Sequence, residues 1–220
     1  MTKNLTIVSK IIECKNEILE LTNQRVLFWE QENALVLSDV HIGKSAHFQK
    51  SGIPIPSSVL QKDLVRLENL IHHFTTKKLI IVGDLFHASY NKELDFFKEW
   101  LEQFHDLEIL LIKGNHDRLS KEIYEDFNIK IYQKELVIGN LKFVHDFDKI
   151  DENYFTISGH THPGVSIKGK GRQRIKLPCF QITKHQLILP AFSLFTGLNT
   201  RNCPENCTNY CFTTNEIFEI

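Results

Sequence analysis

The chain has 220 residues, 42% of them hydrophobic, and a formal net charge of −1 at pH 7. That length suits one domain with a large core, and the near-zero charge excludes a protein that coats duplex nucleic acid or anionic membrane by bulk attraction. No apolar run reaches membrane-spanning length, and the polar start Met1–Lys10 has no apolar leader core, so a soluble cytoplasmic protein is expected, with no membrane partner.

In chain order, "VLFWEQ" and "ALVLSD" flank Glu32-Asn33 and read as a hairpin. Pro56-Ser57-Ser58 opens a helix, in which Leu60, Leu64, Leu67, Ile71 and Phe74 recur at helical spacing. "KLIIVGD" is a continuous apolar run, as in a strand buried on both faces. Leu94, Phe97, Leu101 and Phe104 mark a second amphipathic helix, and "LEILLIKGNHD" another buried strand. A short helix follows Arg118. Short strands are then predicted at 129–132, 136–138, 141–145, 154–158, 165–168, 174–177, 180–183 and 186–189, punctuated by Pro, Gly and Asn. The pattern gives an α/β chain, with strands and helices alternating first and strands alone later. We read one domain over 1–220: a two-sheet β-sandwich flanked by helices, with 200–220 a Cys-bearing C-terminal extension.

Five cysteines are present. Cys14 and Cys179 stand in apolar surroundings and read as buried thiols. Cys203, Cys207 and Cys211 in "NCPENCTNYC" do not have CxxC spacing, and a structural metal would need a fourth ligand that is not evident nearby. They read as free thiols in a polar, Asn-rich loop or tail.

The chemistry gathers at the strand ends. "LVLSDVHIGKSAHFQKSGIPIP", Leu35–Pro56, contains Gly43-Lys44-Ser45, which resembles the end of a phosphate-binding loop. Such a loop needs a glycine five positions before the Gly-Lys pair, where this chain has Ser38. Asp39 and His41 remain, two apart and so on one side of an extended chain. Alone, such a pair is usually a turn. Four more polar sets follow apolar runs: Gly83-Asp84, Gly114-Asn115-His116-Asp117, His145, and Gly159-His160-Thr161-His162. Strand ends of a parallel sheet collect along one edge, where ligand sites form, and five sets at the correct end exceed what turn chemistry explains. Carboxylate, amide and imidazole groups without thiolate suit a pair of divalent ions, Mn, Fe or Zn. Asp84, on a central strand, is the natural bridge between them.

The five blocks D-x-H, GD, GNHD, His and GHTH, from Asp39 to His162, resemble those of the calcineurin-like metallophosphoesterases. The resemblance implies an αββα sandwich. It assigns Asp39, His41, Asp84 and His162 to one ion, and Asp84, Asn115, His145 and His160 to the other. His116 would face the scissile phosphate and protonate the leaving oxygen, with Asp117 orienting it. Such ions activate water for in-line attack on phosphorus.

Narrower features bear on the substrate. "GDLFHA" resembles the second motif of DNA-repair nucleases in this superfamily, which would place His87 on the substrate phosphate, or else in a supporting position. "SDVHIGKSAHFQKSGIPIP" and "PAFSLFTGLN", Pro190–Asn199, resemble the ligase-associated DNA damage response endonucleases of the PdeM or MPE type. That resemblance covers nearly the whole chain but not the segment after Asn202. It implies a manganese-dependent endonuclease on single-stranded DNA, associated with a DNA ligase, a helicase and an exonuclease. Lys44, His47 and Lys50, with Arg172 and Arg174 in the basic "KGKGRQRIK", are the candidate DNA contacts. Phe48 reads as a core residue ahead of a stacking one. A homodimer is compatible with the sequence. The alternatives are a nucleotide phosphatase or phosphodiesterase with the same site, and a non-catalytic DNA-binding subunit.

Overall fold

The computed structural model describes residues 5–220 apart from Pro54, Ser57 and Ala88, so the first four residues and the Ser57 position of the expected helix start lie outside it. Two sheets face each other. The first has the order β1 (Ser9–Cys14), β2 (Glu17–Thr22), β3 (Leu27–Trp29), β4 (Ala34–Leu37), β5 (Lys78–Val82), β6 (Glu108–Ile112), β7 (Ile129–Tyr132). Strands β1 to β4 form an antiparallel meander that includes the expected hairpin. From β4 to β7 every pairing is parallel. The parallel part takes its crossovers through α2 (Ser58–Phe74) and α3 (Lys92–Leu101), and α4 (Lys121–Asp126) precedes β7. A further short helix, α1 (Lys44–Lys50), directly follows the Asp39–His41 turn.

The second sheet uses β8 (Glu135–Ile138), β9 (Leu141–Val144), β10 (Phe155–Ser158), β12 (Arg174–Ile182), β13 (Gln186–Ile188), β14 (Thr208–Phe212) and β15 (Ile217–Glu219), in the order β15-β14-β12-β13-β10-β9-β8. Strand β11 (Gly164–Lys168) pairs with the first half of β12.

Alternation on the strands builds two cores. Ala34 and Val36 on β4, Ile80 and Val82 on β5, and Leu110 and Ile112 on β6 point between the sheets and meet Phe143, Phe155, Ile157, Phe180 and Leu187. Leu35, Leu37, Leu79, Ile81, Ile109 and Leu111 point the other way and meet Leu64, Leu67 and Ile71 of α2, Phe97 of α3 and Tyr124 of α4. This is why β4, β5 and β6 read as uninterrupted apolar runs. All the helices precede β7, and among the described residues none follows Asp126, so the helical layer lies on the first sheet alone.

Four expectations are corrected. The predicted strands 174–177 and 180–183 are one strand, β12, running through Pro178. Pro178 sits where β12 leaves β11 and takes up β14, so its missing N–H interrupts no ladder. The "NCPENCTNYC" stretch is a loop only to Cys207, for Thr208–Phe212 is β14, which pairs with β12 and carries the buried Cys211. Cys179 is buried as expected, whereas Cys14 is half-buried. Helix α3 ends at Leu101, and Phe104 follows in a turn while still packing on the helical core.

The segment after β13 returns to the end of β4. Ser38 bridges Ala191, and the Phe192 and Ser193 amides donate to Ser38 and Asp39 carbonyls at 2.8 and 3.2 Å. Arg66 of α2 fixes this return. It is buried, pairs with Asp63 at 3.0 Å, donates to the Phe192 carbonyl and lies 4.1 Å over the Phe192 ring. Burial drives the Asp63 pKa up, opposed by Arg66, by Ser193 and by the Leu194 amide. Removing the guanidinium would strand a buried carboxylate. Arg66→Met is expected to lower unfolding free energy by about 3–5 kcal/mol, and Asp63→Leu/Arg66→Met to recover a large part of the loss, both read from urea unfolding.

Candidate metal centre

The ends of β4, β5, β6, β9 and β10 meet at one edge of the sandwich. Asp39, His41 and His162 form one group whose ligand atoms all lie within 4.8 Å of one another, and Asp84, His145 and His160 form a second group to the same limit. His145 Nε2 is 3.5 Å from Asp84 Oδ2, 3.2 Å from Asn115 Oδ1 and 3.2 Å from His160 Nδ1. The sequence-derived ligands Asp39, His41, Asp84, Asn115, His145, His160 and His162 therefore converge.

The backbone is arranged to aim them. Asp39 (φ 57°), His41 (φ 54°), Asp84 (φ 52°), His160 (φ 68°) and His162 (φ 50°) are all left-handed, a conformation that is uncommon outside glycine. Asp39, His41 and Asp84 are buried, His162 is half-buried and His160 is exposed. Two glycines admit the neighbours. A Cβ on Gly83 would stand 2.0 Å from His145 Nδ1, and one on Gly114 would stand 2.1 Å from Asp84 Oδ1.

The donor set fits divalent cations. Both ring nitrogens of buried His41 lack a hydrogen-bond partner, and burial, then Lys44, holds its pKa down at about 3. The ring is therefore neutral, the form that ligates metals. Asp39 Oδ1 lies 3.1 Å from His162 Nε2 yet makes no hydrogen bond, as expected of two groups aimed at a common third body. His145 donates through Nδ1 to the Val82 carbonyl at 3.0 Å, a tautomer assigned from that carbonyl, which turns Nε2 toward Asp84; burial would lower the ring's pKa, but Asp84 outweighs it and raises it to about 9. Burial would raise the Asp84 pKa, but His145 and the His116 amide outweigh it and hold it at about 2. It is a carboxylate at any working pH.

The remaining predicted residues divide. His116 donates its amide to Asp84 Oδ1 at 2.9 Å, and its ring lies parallel to His87 at 4.7 Å and edge-on to His41 at 5.3 Å. Asp117 does not take the orienting role expected of it. Its oxygens accept the Phe86 and Gly114 amides, each at 2.9 Å, and no hydrogen bond to the His116 ring is present among the described residues. It ties the β6 end to the β5 end instead. Burial raises its pKa to about 6. His47 stands 5.4 Å from His87, and Lys44 is half-buried with Nζ 5.8 Å from the Phe195 ring centre. Lys50 is exposed at the far end of α1. Arg172 and Arg174 are exposed at the tip of the β11–β12 hairpin, roughly 20 Å of extended chain from His162 at ~3.3 Å per residue.

Phe48 is half-buried and belongs to neither core, contrary to the core reading. Its ring is parallel to His87 at 6.3 Å and edge-on to Phe195 at 6.2 Å. Glu93 was not singled out from the sequence. From α3 its carboxylate faces the start of α1: burial pushes its pKa up, opposed by the Gly43 and Ala46 amides and the Ser45 hydroxyl. Only its buried acid character at a helix start hints at this. On the His145 side the ligands border a cavity of about 550 Å³ lined by Lys113, Lys134, Lys149 and Asp146 among others.

A family model described as calcineurin-like phosphoesterase matches residues 33–186. The crystal structure of Pseudomonas putida nuclease MPE is similar over 97% of this chain and 100% of that one, at 27% identity and a TM-score of 0.81. Yfce, a phosphoesterase from E. coli, is similar over 85% of this chain and 97% of its own, at 17% identity and a TM-score of 0.46, a likeness too slight to build on. No curated protein sequence matches the chain.

The shared carboxylate sets an occupancy test. By inductively coupled plasma analysis after loading with Mn²⁺, Asp84→Ala is expected to lose both ions together. Asp39→Ala is expected to lose one and keep the other. Full occupancy in Asp84→Ala would contradict the bridging role.

Proposed function

The chain belongs to the calcineurin-like phosphoesterase family and is a phosphoric ester hydrolase, and from that premise we propose that it is a manganese-dependent endonuclease acting on single-stranded DNA in repair. The observation that carries the substrate is the row of parallel rings leading out of the metal centre: His116 on His87, His87 on Phe48, with Phe195 edge-on beyond. Lys44 lies over Phe195 and His47 beside His87. A positive charge beside flat, half-exposed rings matches what an unpaired strand offers, namely phosphates and open base faces. The likeness to a nuclease along the whole chain supports the same reading. A place beside a DNA ligase, a helicase and an exonuclease, in the cytoplasm, belongs to this proposal and rests on the resemblance of Ser38–Pro56 and Pro190–Asn199. No helix among the described residues is long and apolar enough to cross a membrane.

Two divalent ions held by Asp39, His41, Asp84 and His162 and by Asp84, Asn115, His145 and His160 would supply Lewis acidity and a water of lowered pKa. The chain's own residues do the rest. Asp84 stays ionised and holds the His116 backbone through its Oδ1. The His116 ring, fixed against His87, is the group placed to give a proton to the leaving oxygen. His87 is neutral, since burial, then His116 and Lys44, lower its pKa to about 4, so it offers phosphate an N–H without adding charge. Lys44 adds the positive charge at the same wall. Asp117 holds the loop before β6's catalytic residues against Phe86.

With Mn²⁺ and a circular single-stranded DNA, the protein is expected to produce linear and then shorter products. An intact circle alongside hydrolysis of nucleotide monoesters or cyclic nucleotides would replace the proposal with the small-molecule reading. His116→Ala is expected to keep its ions by metal analysis while losing about 10²–10⁴-fold in turnover. Loss of an ion from that variant would remove His116 from the proton-donor role.

A further inference from the structure

The cysteines of the C-terminal segment acquire a fourth partner only in the folded chain. Cys179 of β12 and Cys211 of β14 are direct register partners on antiparallel strands. Cys203 and Cys207 form a second pair in the loop that enters β14, where burial, then Cys203, raises the Cys207 pKa. One side chain links the pairs. Asn209 Oδ1 lies 3.7 Å from Cys179 Sγ and 3.8 Å from Cys203 Sγ. Cys203 and Cys207 also both lie near enough to act electrostatically on Cys179. The sequence contains five cysteines, and four of them gather here.

We propose that Cys179, Cys203, Cys207 and Cys211 form a tetrathiolate site for a structural zinc ion, separate from the dinuclear centre. The chemistry selects the metal. Four sulfur donors with no carboxylate or imidazole suit Zn²⁺, while Mn²⁺ prefers the oxygen and nitrogen donors of the other site. Cys203-x₃-Cys207-x₃-Cys211 falls within the usual ligand spacing of such sites. The sulfurs stand in an open cluster, for among the described residues the groups drawn within 4.8 Å are those of the dinuclear centre. A filled site needs Zn–S bonds of about 2.3 Å. Closure falls to the 203–207 loop, because Cys179 and Cys211 are buried in paired strands while Cys203 is exposed. The exposed side also provides an entry path. Binding releases the thiol protons to solvent, up to one per ligand, and leaves four thiolates on the ion.

The position gives the site a purpose. The Cys179 amide donates to the Pro163 carbonyl at 3.3 Å, next to His162. Asn199, four residues before Cys203, bridges Pro163 and donates to the His162 carbonyl at 2.9 Å. An ion joining Cys203 and Cys207 to β12 and β14 would therefore clamp both backbones that hold the His162 turn.

The test uses the full chain, purified and kept reduced, loaded with Co²⁺ as a spectroscopic substitute for zinc. The dinuclear centre has no thiolate, so an intense near-ultraviolet thiolate-to-cobalt band can come only from the cysteines. The band is expected in the native chain and absent from Cys203→Ser/Cys207→Ser, which should also retain one zinc fewer after dialysis against a weak chelator. The proposal is overturned if the reduced native chain gives no such band or if the band survives in the double variant. It is equally overturned if alkylation without reductant finds the cysteines paired as disulfides. The native-chain spectrum decides the matter even if the double variant fails to fold.

Discussion

The structure depends on five non-glycine residues held in the left-handed region at one edge of a sandwich. Each such residue costs of order 1–3 kcal/mol. Together they cost an amount similar to the ~5–15 kcal/mol by which a whole domain is stable. The surroundings must therefore impose the conformation. Parallel strands β4, β5 and β6, buried on both faces, fix where the turns begin. The Asp39 and His41 amides donate to the Gly83 and Asp84 carbonyls at 3.0 and 2.9 Å, so two of the turns brace each other. Two cations that between them take ligands from all five residues would offset what remains, because binding only to the folded chain stabilises it.

Distant parts of the chain serve the same edge. The 190–194 segment lines the end of β4 through backbone bonds to Ser38 and Asp39, and Arg25 donates to the Ala191 and Ser193 carbonyls at 3.1 Å each. Arg66 and Asp63 fasten it from α2. Asn91 and Glu93 of α3 fasten α1, and with it Lys44 and His47, beside the metal ligands. The wall of the site that would meet substrate is thus built by residues some 45 positions beyond it in sequence.

What was legible in the sequence follows from this division. The ligand sets sit at the ends of apolar runs, three of them directly after a glycine, which are local signals, and the family resemblance then names seven residues in them as ligands. The sandwich was legible for the same reason. Helix α1 was not, because seven residues make no stable helix alone and the carboxylate that faces its start is Glu93 of α3. Strand β1 was missed because its residues are mostly exposed and charged residues interrupt its alternation. Strand β14 was missed because "TNYCF" carries little pattern, and its partner is chosen by register with β12. That same register brings Cys179 to Cys211 across a gap that no spacing rule spans. Asp117 was given the wrong partner because adjacency to His116 in sequence says nothing about where a buried carboxylate finds amides.

The central claim is that the five left-handed residues serve to hold two ions that share Asp84. It is tested most directly by anomalous scattering at the manganese edge from crystals grown with Mn²⁺. The account predicts two peaks about 3.5–4 Å apart on either side of the Asp84 carboxylate, one against Asp39, His41 and His162 and the other against Asn115, His145 and His160. A single peak, or two peaks that do not share Asp84, would contradict it.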